Sequence, residues 1–183
     1  MKRILIYLLV ILSWSGFNAF ADQKDARLDE LFARLKASRD MVESRALETQ
    51  IWEIWSDSGR LDVNEMMKRG VDAMIGRRLD EALVIFNQIV QILPNFAEGW
   101  NKRATVFYLK NDYADSVKDV QRTLSLEPRH FGAISGMGLI FMETGDDVGA
   151  VKAFEDVLKL YPQSPSVQDN IDRLKEKIRK KMI

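Results

Sequence analysis

Three prolines constrain this chain more than any other feature. Pro94, Pro128 and Pro162 stand 34 residues apart, each closing an apolar run: "IVQILPNF", "TLSLEPRHF" and "DVLKLYPQS". Proline lacks a backbone N–H and cannot continue a helix, so each marks the end of one helix and the approach of another. A fixed period of this length is the signature of an array of small helical units, each too small to bury its apolar face alone.

Laid over one another, the windows 63–96, 97–130 and 131–164 agree position by position. The eighth position holds Gly70, Ala104 and Gly138; the twentieth holds Ala82, Ser116 and Ala150. Small residues recur where two helices approach closely. The eleventh holds Ala73, Phe107 and Phe141; the twenty-fourth holds Phe86, Val120 and Phe154; the twenty-seventh holds Ile89, Thr123 and Val157. Large side chains recur where the gap must be filled. Leu79, Ala82, Leu83, Phe86, Ile89, Val90 and Leu93 follow i, i+3, i+4, i+7, a helical stripe. Asn111-Asp112 and Gly145-Asp146 punctuate the middle of two windows as turn and N-cap residues.

This pattern resembles the tetratricopeptide repeat (TPR), which wants Trp, Gly, Tyr, then Ala, Phe and a closing Pro. The second window supplies Trp100, Ala104, Phe107, Ser116, Val120 and Pro128; the third Ile134, Gly138, Phe141, Ala150, Phe154 and Pro162; the first Met66, Gly70, Ala73, Ala82, Phe86 and Pro94. The first lacks the aromatic at its eleventh position, and the second carries polar residues in its second helix. The resemblance covers 63–164 and implies an all-α solenoid of three helix-turn-helix repeats.

Flanking segments complete the expected organisation. "SPSVQDNIDRLKEKIRKKMI" starts with Ser164 as N-cap and Pro165 at the first helical position, and carries Val167, Ile171, Leu174 and Ile178 on one stripe. It reads as a C-terminal capping helix over 165–183. Its basic end (Lys175, Lys177, Arg179, Lys180, Lys181) suits a helix C-terminus; a patch for anionic lipid or an acidic partner is the sharper alternative. Residues 22–62 read as an N-terminal helical pair, striped by Leu28, Leu31, Phe32 and Leu35 and by Leu47, Ile51, Ile54 and Trp55. The pair resembles a degenerate repeat, with Trp52 and Trp55 in register with Phe86 and Ile89, and is similar to pairs that precede the repeats in bacterial exported TPR proteins. The tryptophans are expected to pack against the first helix of repeat one; an exposed ledge for a partner is the alternative.

The first 21 residues, "MKRILIYLLVILSWSGFNAFA", have a basic start, an apolar centre and Ala19-Phe20-Ala21 at the end. This predicts a signal peptide cleaved between Ala21 and Asp22 and an exported, periplasmic product; an anchor over 4–21 is the alternative. Cleavage would leave 25 basic against 27 acidic residues, so charge does not argue for nucleic acid as a partner. There are no cysteines, which excludes disulfides and thiolate chemistry.

No constellation reads as an enzyme, a cofactor site or a metal site. The one histidine, His130, follows Pro128 and is expected on the surface of the inter-repeat turn. Asp146-Asp147 suits a helix start. "GMG" at 136–138 lies inside a predicted helix, so it is no phosphate loop; Gly136 and Gly138 are expected to allow close helix packing.

The family resemblance further implies a protein or peptide partner held on the concave side of the solenoid, by first-helix positions two, five, nine, twelve and thirteen, of which the fifth, ninth and twelfth are taken as the groove. These are Met67, Asn101 and Ser135; Val71, Thr105 and Leu139; Met74, Tyr108 and Met142. Family members that clamp a terminal carboxylate use Lys, Arg and Asn there, and only Asn101 matches. The expectation is an apolar groove in which methionines adapt to the ligand and Tyr108 and Asn101 orient it. The competing readings are a self-associating structural oligomer, a membrane-anchored scaffold, and a groove covered by the chain's own terminal helices.

Overall fold

A computed structural model describes residues 25–181; the predicted signal segment lies outside the described residues. Among the described residues the regular elements are helices: α1 (Arg27–Ala37), α2 (Met41–Ser56), α3 (Leu61–Ile75), α4 (Leu79–Ile92), α5 (Ala97–Leu109), α6 (Tyr113–Leu126), α7 (Phe131–Glu143), α8 (Asp147–Leu160) and α9 (Pro165–Lys181). The expected all-α solenoid is what forms. The pairs α3–α4, α5–α6 and α7–α8 stack in order, and α9 lies on α8.

Within each pair the turn obeys the 34-residue period down to its backbone. Arg77, Asn111 and Gly145 all have positive φ (59°, 62° and 84°). Beyond them Arg78, Asp112 and Asp146 donate their N–H groups to Ala73, Phe107 and Phe141 O, each at 2.9 Å. This is the Schellman closure of a helix. Asp112 and Asp146 then cap α6 and α8 by accepting from Asp115 N and Gly149 N.

Packing between the helices of a pair rests on a small-large exchange at positions eight and twenty-four. A Cβ on Gly70 would stand 2.7 Å from the Phe86 ring, and one on Gly138 would stand 2.7 Å from the Phe154 ring. Gly136, in contrast, has only ordinary space around it, the nearest atom being Val120 Cγ2 at 3.9 Å, so close packing does not require it. In repeat two the pair is Ala104 with Val120. There the polar substitutions answer to backbone carbonyls: Ser116 Oγ donates to Ala104 O at 2.8 Å and Thr123 Oγ1 to Asp119 O at 2.9 Å. Arg103 spans the pair with a two-pronged bond to Asp119 (2.7 and 2.8 Å) and reaches back to Asn87. At the first proline turn, Pro94 O accepts from Trp100 Nε1 (3.0 Å) and Arg122 (3.1 Å).

The basic end of α9 is partly spent at home. Lys177 and Lys181 both donate to Asp147 at 2.6 Å, and these bonds hold its carboxyl below the ordinary range.

The N-terminal pair departs from expectation. Its apolar residues do not join the cluster around α3. Leu28, Leu35, Leu47, Ile51 and Trp55 belong to one core with Phe131, Phe154, Val157 and Tyr161 of the third repeat, and α1 lies against α8. The reason is on repeat one itself. The faces that receive a preceding helix carry Gly99 and Val106 in repeat two and Ala133 and Ile140 in repeat three, positions three and ten. Repeat one has Glu65 and Asp72 there, both exposed, and cannot seat a further repeat.

Two stability tests follow from these contacts. Gly138→Ala is expected to cost about 1–3 kcal/mol in urea unfolding. Adding Phe154→Val, which recreates the repeat-two combination, should lose less than the sum of the single changes. Arg77→Gly, at a left-handed backbone position, should raise stability by about 0.5–1 kcal/mol.

Candidate functional site

α3 touches α5 and α5 touches α7, so the first helices line the inner side of the curve. The rim of that side is built around a buried carboxylate. Glu98, in the first turn of α5, is 1% exposed. Its Oε1 lies 2.8 Å from the Lys102 ammonium, one helical turn on. Its Oε2 accepts from the Asn101 amide at 2.8 Å and sits 3.0 Å from Nε2 of His130. The other ring nitrogen, Nδ1, accepts the Ala133 N–H at 3.1 Å and caps α7. With Nδ1 an acceptor, the neutral ring carries its proton on Nε2 and donates it to Glu98. Burial pushes the Glu98 carboxyl up, but Lys102 and His130 outweigh it and hold it below the ordinary carboxylate range. The expectation of a surface histidine is thus corrected: His130 is fully buried, because one ring nitrogen bonds back to Glu98 at the start of α5 and the other caps α7 of the next repeat.

The α1–α2 hairpin docks on this rim. Trp55 stacks flat on His130, with centroids 4.2 Å apart and planes 10° apart. Trp52 meets the same ring edge-on at 5.5 Å and packs on Phe131 at 5.4 Å. Gly132 makes room for it; a Cβ there would stand 2.6 Å from the Trp52 indole. The Lys102 ammonium lies 5.4 Å from the Trp52 ring centre. At the edge, Tyr161 O–H donates to Glu48 at 3.1 Å, and Arg129 donates to Asp29 at 2.7 Å while lying over the Phe32 ring. Burial, then the Glu48 charge, push the Tyr161 phenol up to about 12. The tryptophan pair therefore packs on the junction of repeats two and three, a correction to the expected packing on repeat one. The terminal-helix covering of the concave side is real but partial.

The predicted groove residues divide. Asn101, Thr105, Tyr108 and Leu139 line one cleft of about 140 Å³ between α5 and α7, joined by Ser135. Asn101 is 7% exposed and its amide is committed to Glu98, so it orients the rim and not a ligand. Tyr108 is partly exposed, with its O–H 3.4 Å from Glu143. Met142 is partly buried beside the third-repeat core. Val71 and Met74 are partly buried against repeat one, and Met67 is folded into its core, 6% exposed, which corrects its assignment to the groove; methionine's free torsions let it turn inward. A wider cleft of about 460 Å³ opens between α7 and α8, lined by Ile134, Met137, Phe141 and Ala153, at positions that face the second helix of a repeat.

The family model for the tetratricopeptide repeat matches residues 133–164. A TPR repeat-containing protein of Rhizobium etli is 35% identical over 93% of this chain and 90% of its own length. The chain belongs to the TPR family. Among solved structures, the Sgt2 TPR domain from Aspergillus fumigatus matches with a TM-score of 0.61 at 20% identity, over 66% of this chain and 81% of that one. The first TPR of Spaghetti (RPAP3), bound to the HSP90 peptide SRMEEVD, gives 0.61 at 17% identity, over 64% and 93%. These two likenesses show the fold.

Sequence reasoning from the TPR pattern missed Glu98, Lys102, Arg129 and Gly132. Glu98 and Gly132 both occupy position two of their repeats, a ligand-facing position by the family resemblance, though neither residue was singled out there. An acidic residue and a glycine in the first turn of two neighbouring TPR helices are the signal that could have found them.

The Glu98 node has a pH signature. Its carboxyl is more acidic in the folded chain than in the unfolded one, so its contribution is full above the ordinary value of 4.5 and is lost as pH falls through the folded value. Thermal unfolding followed downward from pH 7 should steepen below about 4.5, and Glu98→Gln should flatten that limb while lowering stability at neutral pH.

Proposed function

We propose that this TPR protein is a non-enzymatic scaffold that holds a peptide or helix of a protein partner on its concave face. The observation that carries this is the α5–α7 cleft, where Thr105, Tyr108, Ser135 and Leu139 offer hydroxyls and an apolar wall on the side that faces inward. The RPAP3 neighbour, whose structure holds a peptide, supports the class of ligand. That peptide is acidic by its sequence; here the rim already holds the Glu98 carboxylate and has spent the Asn101 amide on it, so a carboxylate clamp is disfavoured. The anchors are apolar.

The same proposal places the protein outside the cytoplasm, in the periplasm after cleavage between Ala21 and Asp22, serving assembly or maintenance of the cell envelope. Its support is the signal-like first 21 residues. Among the described residues no helix is long and apolar enough to cross a membrane, so an anchor, if retained, is residues 4–21. Nucleic acid is not a partner in this reading.

In-cell crosslinking tests it. Wild type and a Tyr108→Ala, Met142→Asp variant serve as baits, with captured proteins read by mass spectrometry. A partner present with wild type and lost from the variant is the expected result; capture unchanged by the variant overturns the groove reading. Intact mass of the isolated protein, starting at Asp22, checks the processing.

A further inference from the structure

We propose that α1–α2 is a built-in occupant of the TPR rim, exchanged for a partner helix that carries an acidic residue followed four and seven positions later by aromatic residues. This deepens the proposed function and rests on its reading of the concave face as the ligand side.

The array does not use this hairpin as a cap. Caps are required where an end would expose apolar surface. The outward face of repeat one presents Glu65 and Asp72 to solvent, with Leu61 and Ile75 left exposed at its two ends, whereas the same positions in the later units, Gly99 and Val106 or Ala133 and Ile140, are buried. At the far end α9 completes the pattern with Val167 and Leu174, 6% and 2% exposed. The hairpin instead crosses to the junction of repeats two and three, tethered to α3 by residues 57–60.

Its contacts read as those of a ligand. Glu48, Trp52 and Trp55 lie at i, i+4 and i+7, one face of α2. They meet the Tyr161 hydroxyl, the gap over Gly132 beside Lys102, and the flat of His130. Charge is complementary across the contact, since the hairpin brings Asp29 and the rim brings Arg129. An amphipathic helix in a groove uses this spacing of anchors. The docked hairpin is also imperfect. The indole N–H of Trp55 and the hydroxyl of Ser44 are buried without a hydrogen-bond partner, which penalises the closed state and leaves a partner helix room to compete. Because the tether gives the hairpin a high effective concentration, a free helix binds with an affinity reduced by the closed fraction.

A fluorescein-labelled peptide of α2, Met41–Ser56, titrated into the full chain tests this. A chain opened by Trp52→Ala with Trp55→Ala should bind it at least tenfold more tightly than wild type. A second opened chain, Asp29→Lys with Glu48→Lys, disturbs only rim charges and should shift in the same direction. A peptide with both tryptophans changed to Ala should not bind, and Gly132→Val added to either opened chain should abolish binding. Equal affinity for wild type and both opened chains overturns the proposal, as does absence of binding to opened chains of wild-type helicity. The crosslinking experiment separates the two readings. A partner that depends on Tyr108 but is captured equally by wild type and both opened chains overturns the exchange and leaves the groove standing. Peptide exchange in the expected pattern, with no captured partner depending on Tyr108, supports the rim and overturns the α5–α7 cleft.

Discussion

The rim depends on one buried charge. A carboxylate removed from water is costly unless it is paired, and Glu98 is answered from three directions: Oε1 by the Lys102 charge one turn along, and Oε2 by the Asn101 amide and by His130 at the far end of the same repeat. The last of these matters most for the architecture. It holds the imidazole with Nδ1 turned to Ala133, which starts α7, and with its ring face turned outward as the floor on which Trp55 lies. The start of one helix and the seat of another element therefore hang on the same carboxylate.

The cleft beside it has a packing origin. Repeats one and three close the gap between their helices with phenylalanine rings at position twenty-four, pressed so near that position eight must be glycine. Repeat two has Ala104 and Val120 instead, and Ser116 beside them. The smaller side chains leave volume where a ring would have been, and that volume is the α5–α7 cleft, lined by all three. Repeat two keeps its integrity by other means, with the two-pronged Arg103–Asp119 bond and hydroxyls answering carbonyls. The repeat that fits the apolar pattern least well is thus the one able to offer a ligand space.

Much of this was legible in order, because it is local. The prolines, the 34-residue register, the small-large positions and the turns at 111–112 and 145–146 are all fixed by contacts within a repeat or between neighbours; the matching turn at Arg77 shows only in the backbone. The docking of α1–α2 was not legible, because an apolar stripe says that a helix is buried and not on what. Leu47, Ile51 and Trp55 were read as a buried face, but the core they join reaches Phe131, Phe154, Tyr161 and Leu174, far along the chain. His130 failed for a related reason: isolated in the sequence, it has its carboxylate 32 residues back, visible only once the repeats are stacked. The one clue within reach was Glu65 and Asp72, polar where the register demands apolar residues if another repeat precedes.

Those two residues also decide how the ends of the array differ. The C-terminal end is closed by addition: α9 extends the buried positions and ties its basic turn to Asp147. The N-terminal end is closed by substitution, with charged residues at the surface that would have received a helix. The hairpin does not cover that surface, where Leu61 and Ile75 stay exposed beside Glu65 and Asp72, and the apolar face of α1–α2 is buried elsewhere. The surface that takes it combines Phe131, a glycine at position two and the flat of an imidazole, all beside the inner side of the curve. Occupancy of the rim by the chain's own helix is in this sense a consequence of how repeat one is capped.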